Sequence, residues 1–102
     1  MSDRITDTQL KHQVRQLNDR LGRPAEPWSA PDEAGQPWRA NIGNIHLNRA
    51  YGGVQIVEMV NAGGGIRTMT DYHGPKRTAW EVLRGMHAVL DSIERSREEA
   101  RS

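Results

Sequence analysis

The segment WRANIGNIHLNRAYGGVQIVEMV, residues 38–60, decides the fold class. Apolar and polar residues alternate on both sides of Gly43-Asn44, a pair typical of a hairpin turn. A second turn is predicted at Tyr51-Gly52-Gly53, and the apolar run 54–60 that follows indicates a strand covered on both faces. Residues 38–60 are therefore expected to form an antiparallel meander of three strands.

An amphipathic helix is predicted on each side of this meander. Thr6 and Gln9 have the spacing of a capping box, and Gly22 is typical of a helix C-terminus, which predicts a first helix over residues 7–21. A second helix is predicted over 76–93, followed by a polar tail, 94–102, that either continues the helix or frays. Its expected buried stripe is Ala79, Val82, Leu83, Met86, Val89, Leu90 and Ile93. The sequence thus predicts one α+β domain over residues 1–102, with both helices packed on one face of the sheet.

Two loops are expected between these elements. Residues 23–37 hold four of the five prolines, which predicts a loop around Trp28. That tryptophan is expected either to fold back as a lid on the core or to contact a partner. Residues 61–75 are expected to form a second, Gly-rich loop. Its run Gly63-Gly64-Gly65 is either a hinge or a backbone surface that a ligand approaches closely.

Composition restricts the function classes. The chain has 102 residues, no Cys, 35% hydrophobic residues and a net charge of +1. Disulfides and thiolate chemistry are excluded, and no apolar run is long enough to cross a membrane. The start of the chain lacks the apolar region of a signal peptide, which favours a cytoplasmic protein. The four His are scattered and no nucleophile motif is present, so we expect no enzyme, metal or cofactor.

Cations in an unusual position give the clearest hint of a binding site. Lys76 and Arg77 begin the second helix, although the N-terminal end of a helix dipole favours acids. Either both side chains point into water or they bind an anion, together with Arg67 and His73. Extending this site to Lys11 and Arg15, which share a face of the first helix, predicts a nucleic-acid surface. The same anion site with Gly63–Gly65 could instead sequester a nucleotide.

Aromatic residues beside Gly-rich turns give a different prediction, a protein-binding surface. The candidates are Trp28, Trp38, Tyr51 and Tyr72. A homodimer is also plausible, because a chain poor in apolar residues gains stability by burying an edge strand or a helix face against a second copy.

Two resemblances to known protein families suggest a biological context. WRANIGNIHL (38–47), AYGGV (50–54) and MVNAGGG (59–65) resemble segments of small uncharacterised proteins of tailed bacteriophages and prophages. This resemblance implies an accessory protein in the bacterial host cytoplasm that binds a host protein or nucleic acid. The order of elements and Lys76-Arg77 also resemble the double-stranded-RNA-binding domain, which implies phosphate contacts at the start of the second helix. That family's Gly-Pro-x-His loop is absent here, where Gly43-Asn44 takes its place.

Overall fold

The computed structural model describes residues 4–70 and 73–101. Its helices are α1 (Asp7–Arg20) and α2 (Lys76–Arg101), and its strands are β1 (Trp28–Ser29), β2 (Arg39–Ala40), β3 (Ile45–Ala50), β4 (Gly53–Met59) and β5 (Ile66–Thr68). The strands form two antiparallel sheets, one of order β1-β2 and one of order β3-β4-β5. The predicted α+β fold class is confirmed.

Helix α1 begins and ends where its sequence predicts. The Thr6 side chain accepts a hydrogen bond from the Gln9 backbone N–H at 3.2 Å, and the Gln9 side chain accepts one from the Thr6 N–H at 2.8 Å. Gly22 adopts φ +69° just after the helix, a conformation that glycine adopts without steric cost. The capping box and the glycine together set the bounds of α1.

The core lies between the two helices and one face of the larger sheet. It contains Leu10, Val14, Leu17, Ile45, Val54, Ile56, Ala79 and Leu83. Val54 and Ile56, two residues apart, share one face of β4, so both helices pack on that face. Gln55 and Val57, which alternate with them on the other face, are also buried, which confirms that β4 is covered on both sides.

The three strands of the main sheet are not the three expected. Residues 39–40 leave the predicted meander and pair with Trp28–Ser29, inside the Pro-rich segment. The third strand is instead β5, within the segment expected to be a loop. Asn41 accounts for part of the difference, since its N–H bonds the Pro27 carbonyl at 2.9 Å and its side-chain amide bonds the Glu26 carbonyl at 2.9 Å. These bonds to residues 26 and 27 tie 39–41 to the loop rather than to β3.

The three-glycine run forms the turn between β4 and β5. The Gly65 N–H bonds the Asn61 side chain at 2.8 Å, and the Val60 N–H bonds the Gly65 carbonyl at 2.9 Å. Gly64 has φ +90°, and a β-carbon there would lie 2.6 Å from the Trp28 ring. The Trp28 ring therefore lies directly on this turn, and at 41% exposed it covers the turn rather than the core.

Helix α2 is longer than predicted and less buried. It extends to Arg101, eight residues beyond the expected end. Ala79 and Leu83 are fully buried, whereas Val89 is 60% exposed and Ile93 is 41% exposed. The expectation that both belong to the buried stripe is wrong: Val89 lies beside Leu90, which packs on the core, but does not pack on it itself, and α2 is exposed from Asp91 onward.

Candidate partner-binding edge

One half of the outer edge of β3 is closed by a side chain of α1. Asn18 is buried, and its amide donates to the Ile45 carbonyl while its side-chain oxygen accepts from the Ile45 N–H, both at 2.8 Å. The Asn18 side chain thus makes the two bonds that a neighbouring strand would make. Ile45 lies opposite Glu58 of β4. Because its N–H and C=O both bond Asn18, this is a pair without hydrogen bonds to β4, and the backbone groups of Ile45 point away from β4.

The other half of that edge is open. Backbone direction alternates along a strand, so Leu47 and Arg49 direct their N–H and C=O groups outward as Ile45 does. Within residues 4–70 and 73–101, no hydrogen bond closes these four groups. An open edge of this kind is a template on which an extended chain can add as a further strand.

A groove of about 390 Å³ runs along this open edge. Its walls come from α1, from the loop after α1 and from β3, and they comprise Lys11, Val14, Arg15, Ala25, Glu26, Pro27, Ile45, His46, Leu47 and Arg49. Three lining residues are cations and one is an acid, Glu26, which forms an exposed ion pair with Arg15 at 3.9 Å, so the rim of the groove has a net positive charge. Val14, Ile45 and Leu47 supply apolar surface. The combination suits an extended segment with alternating apolar and acidic side chains.

Two ion pairs extend the basic rim toward α2. Asp7 Oδ1 lies 2.7 Å from Arg49 Nη2 and 3.1 Å from Lys76 Nζ. Hydrogen bonds from Arg49 and then Lys76 lower the pKa of Asp7 below its ordinary value, so this carboxylate stays charged. Lys76 begins α2, where the helix dipole disfavours a cation, and it forms an ion pair with Asp7 at the start of α1. The anion that lies beside Lys76 is thus a carboxylate of the chain itself.

His46 adds no positive charge to the groove at neutral pH. Burial lowers the pKa of its imidazole, because desolvation disfavours the charged form. Its Nδ1 lies 3.0 Å from the Asn44 side-chain oxygen. The basic character of the groove therefore comes from Lys11, Arg15 and Arg49.

The predicted anion-binding residues do not form one site. Lys11 and Arg15 line the groove, and Lys76 reaches it through Asp7 and Arg49. Arg77 is exposed at the second position of α2. Arg67 lies on β5, the opposite edge of the sheet, where it forms an ion pair with Glu58.

His73 and Tyr51 lie together at the turn between β3 and β4. Their rings meet edge to face with centroids 5.7 Å apart, although the Tyr51 residue is 96% exposed. Trp28 lies against Gly64 at the other end of the sheet, and Trp38 precedes the strand paired with Trp28. The predicted aromatic set therefore does not form one surface. Tyr72, its fourth member, lies outside the described residues.

Several kinds of site receive no support from the arrangement. In the described part of the chain, no group of three His, Asp or Glu side chains could hold a metal ion. No described helix is long and apolar enough to cross a membrane.

Comparisons with protein-family models, curated proteins and solved structures find no match to this chain.

Sequence reasoning missed the residues that define the edge. Arg49 follows the alternating pattern of 45–48, but its ion pair with Asp7 crosses 42 residues and leaves no local signal. Asn18 lies on the buried side of α1, between Val14 and Leu21 in the apolar spacing. A polar residue at such a position marks a buried polar contact, and that signal could have identified it.

Proposed function

We propose that this protein is a non-enzymatic accessory protein of phage type that binds a host protein in the bacterial cytoplasm. The host protein contributes an extended, acidic segment, which adds as a fourth strand alongside β3. The observation that carries this proposal is the open half of β3 beside a basic groove: Leu47 and Arg49 offer unpaired backbone groups next to Lys11 and Arg15.

Main-chain hydrogen bonds would supply affinity, and the groove would supply selectivity. Alternate residues of an added strand face the same side, so every second side chain would meet the apolar surface around Val14 and Leu47. Acidic residues of the partner would approach Lys11 and Arg15. Like charges on a second β3 would repel these cations, which favours an acidic partner over edge-to-edge pairing of two copies.

The decisive test compares two substitutions at one residue. Arg49→Ala removes the side chain and its charge but keeps the outward N–H. Arg49→Pro also removes that N–H, without costing a ladder bond to β4. The wild-type protein and both variants would be used as bait in bacterial lysate. We expect Arg49→Ala to weaken capture of the host protein several-fold and Arg49→Pro to abolish it.

Hydrogen exchange then locates the contact. The captured host protein should slow amide exchange at Leu47 and Arg49 in the wild type, and leave the exposed end of α2 unchanged. Equal capture by Arg49→Pro and Arg49→Ala, with no protection at these amides, would contradict strand addition.

Nucleic-acid binding is the second candidate, and the convergence of Lys11, Arg15 and Arg49 favours it. Such binding would weaken steeply with salt, by a slope of about −3 in log affinity against log salt for three or four phosphate contacts. Lys11→Ala/Arg15→Ala should remove it, while the matched loss of two charges in Arg95→Ala/Arg97→Ala should not. Fluorescence anisotropy with double-stranded RNA and DNA measures this. Because a phosphate contact uses charge and not the N–H, Arg49→Pro and Arg49→Ala should then behave alike.

A further inference from the structure

Helix α1 runs along the outer edge of β3 in the opposite direction. Asp7 Oδ1, at the start of α1, lies 2.7 Å from Arg49 Nη2, near the end of β3. Asn18, in the last turn of α1, bonds Ile45, the first residue of β3. A strand added to this edge must follow β3, so it would also run along α1. Positions on α1 can therefore be compared with positions on the added strand.

Lys11 and Arg15 lie beside the open half of the edge. Both line the groove. Counted back along α1 from Asn18, which bonds Ile45, Arg15 is displaced by about 4.5 Å and Lys11 by about 10 Å. At about 3.3 Å per residue along β3, these displacements place the two cations on either side of Leu47. Any strand paired with the open half must therefore pass both of them.

The distance between the two cations matches the repeat of a strand. Four residues of helix advance about 6 Å, and two residues of strand advance about 6.6 Å. Side chains at alternate positions of a strand face the same side. Two acids separated by a single residue would therefore meet Lys11 and Arg15 together, whereas two adjacent acids would point to opposite sides of the strand.

The three cations of the groove differ in how far their charge is already paired. Arg49 lies within 2.7 Å of Asp7 and is the least available. Arg15 lies 3.9 Å from Glu26, and because the two side chains are 71% and 67% exposed, this pair is weak. Lys11 is exposed and has no ion pair in the described part of the chain. An incoming acid therefore finds Lys11 unpaired and can exchange with the carboxylate on Arg15.

Glu26 is held at the rim of the groove by its backbone. Its carbonyl accepts a hydrogen bond from the Asn41 side-chain amide at 2.9 Å, and its own side chain lines the groove. The carboxylate therefore stays near Arg15 when no partner is bound. In that position it repels an incoming acid and competes with it for the same guanidinium.

We propose that the groove selects an extended segment with the pattern acid–apolar–acid. One acid pairs with Lys11, and the other displaces Glu26 from Arg15. A segment with a single acid pairs with Lys11 alone and leaves Glu26 in place, so only the correct spacing gains both pairs. This inference rests on the strand addition proposed above and specifies the spacing of acids that the partner must carry.

Two synthetic peptides of identical composition test the spacing. Thr-Val-Glu-Val-Glu-Val-Thr has the proposed pattern, whereas Thr-Val-Glu-Glu-Val-Val-Thr places its acids on opposite sides of a strand. Fluorescence anisotropy of the labelled peptides at low salt measures their binding to the full chain. We expect the first peptide to bind about three- to five-fold more tightly, because the second can form only one of the two ion pairs. Equal binding would overturn the proposed spacing.

Two substitutions assign the acids of the first peptide to their cations. Glu26→Gln should raise its affinity about two-fold, whereas Glu33→Gln, an equal change of charge further along the same loop, should leave it unchanged. Lys11→Ala should lower the affinity about three- to five-fold, whereas Arg97→Ala, at the exposed end of α2, should not. Unchanged or weaker binding by Glu26→Gln would contradict the displacement of Glu26.

The Arg49 variants separate this inference from the strand addition on which it rests. If both peptides bind equally and Arg49→Pro alone abolishes binding, strand addition stands and the acid spacing is wrong. If the first peptide is preferred equally by Arg49→Pro and Arg49→Ala, the groove recognises spaced acids without adding a strand. If neither peptide binds at millimolar concentration, the spacing inference is overturned, and capture from lysate still tests strand addition by itself.

Discussion

At the Ile45 end of β3 the strand edge is closed by Asn18, whereas at the Arg49 end the edge is open. Both ends place one carboxylate between two cations. Glu58 pairs with Arg23 and Arg67 at the closed end, and Asp7 pairs with Arg49 and Lys76 at the open end.

The two charge clusters differ in how deeply their carboxylates are buried. The side chain of Glu58 is 9% exposed and that of Asp7 is 44% exposed. A buried pair is costly to break, because the remaining charge loses water without gaining a partner, whereas an exposed pair contributes little to stability. The same chemistry therefore fixes the fold at one end of β3 and leaves charge available for binding at the other.

The largest expected effect is at Asn18. Asn18→Leu keeps the side-chain size but leaves the N–H and C=O of Ile45 buried and unsatisfied, and should lower the free energy of unfolding by about 3 kcal/mol. Gln16→Leu, on the exposed side of the same helix, should change it by less than about 0.5 kcal/mol. Urea unfolding measures both. Equal effects would mean that Asn18 does not close the edge.

A second comparison uses one glycine from each end of the sheet. Gly52, in the turn after β3, has φ +72° and open space around its α-carbon, whereas Gly64 has φ +90° and lies against Trp28. Gly52→Ala should cost about 1 kcal/mol for the backbone conformation alone. Gly64→Ala adds a clash with the indole and should cost about 2–3 kcal/mol. Trp28→Ala/Gly64→Ala should cost less than the sum of the single changes, and strict additivity would exclude the contact.

Local signals predicted the parts of the fold that depend on local interactions. The Thr6–Gln9 capping box, Gly22 and the Tyr51-Gly52 turn are each set by neighbouring residues, and all lie where predicted. The position of β5 was missed because Ile66–Thr68 is too short to show alternation.

The binding edge is harder to predict for a related reason. Part of the edge is open because Asn18 bonds the backbone of Ile45 alone and does not reach Leu47 or Arg49. Asn18 and Ile45 are 27 residues apart in sequence. The charge balance along β3 likewise depends on Asp7, which is distant in sequence. Lys76 and Arg77 were identified as unusual from the helix dipole, but the acid that Lys76 binds could be found only in the folded chain.

The smallest expected effect, and the sharpest contrast between the two carboxylates, appears in the pH dependence of stability. A hydrogen bond from Arg23, assisted by Arg67 and opposed by burial, lowers the pKa of Glu58 below its ordinary value of 4.5. The stability that Glu58 contributes is therefore complete above pH 4.5 and is lost as the pH falls through the lowered pKa of the folded state.

Glu58→Gln should flatten the decline in the free energy of unfolding between about pH 5 and pH 2, because the amide does not titrate. Asp7→Asn should flatten it in the same direction, since the pKa of Asp7 is also lowered, but by less, because solvent screens its more exposed pair. Urea unfolding at closely spaced pH values measures both slopes. If Asp7→Asn flattened the profile as much as Glu58→Gln, the open end of β3 would be as strongly held by its ion pairs as the closed end. The cations of the groove would then be committed to the fold rather than available to a partner.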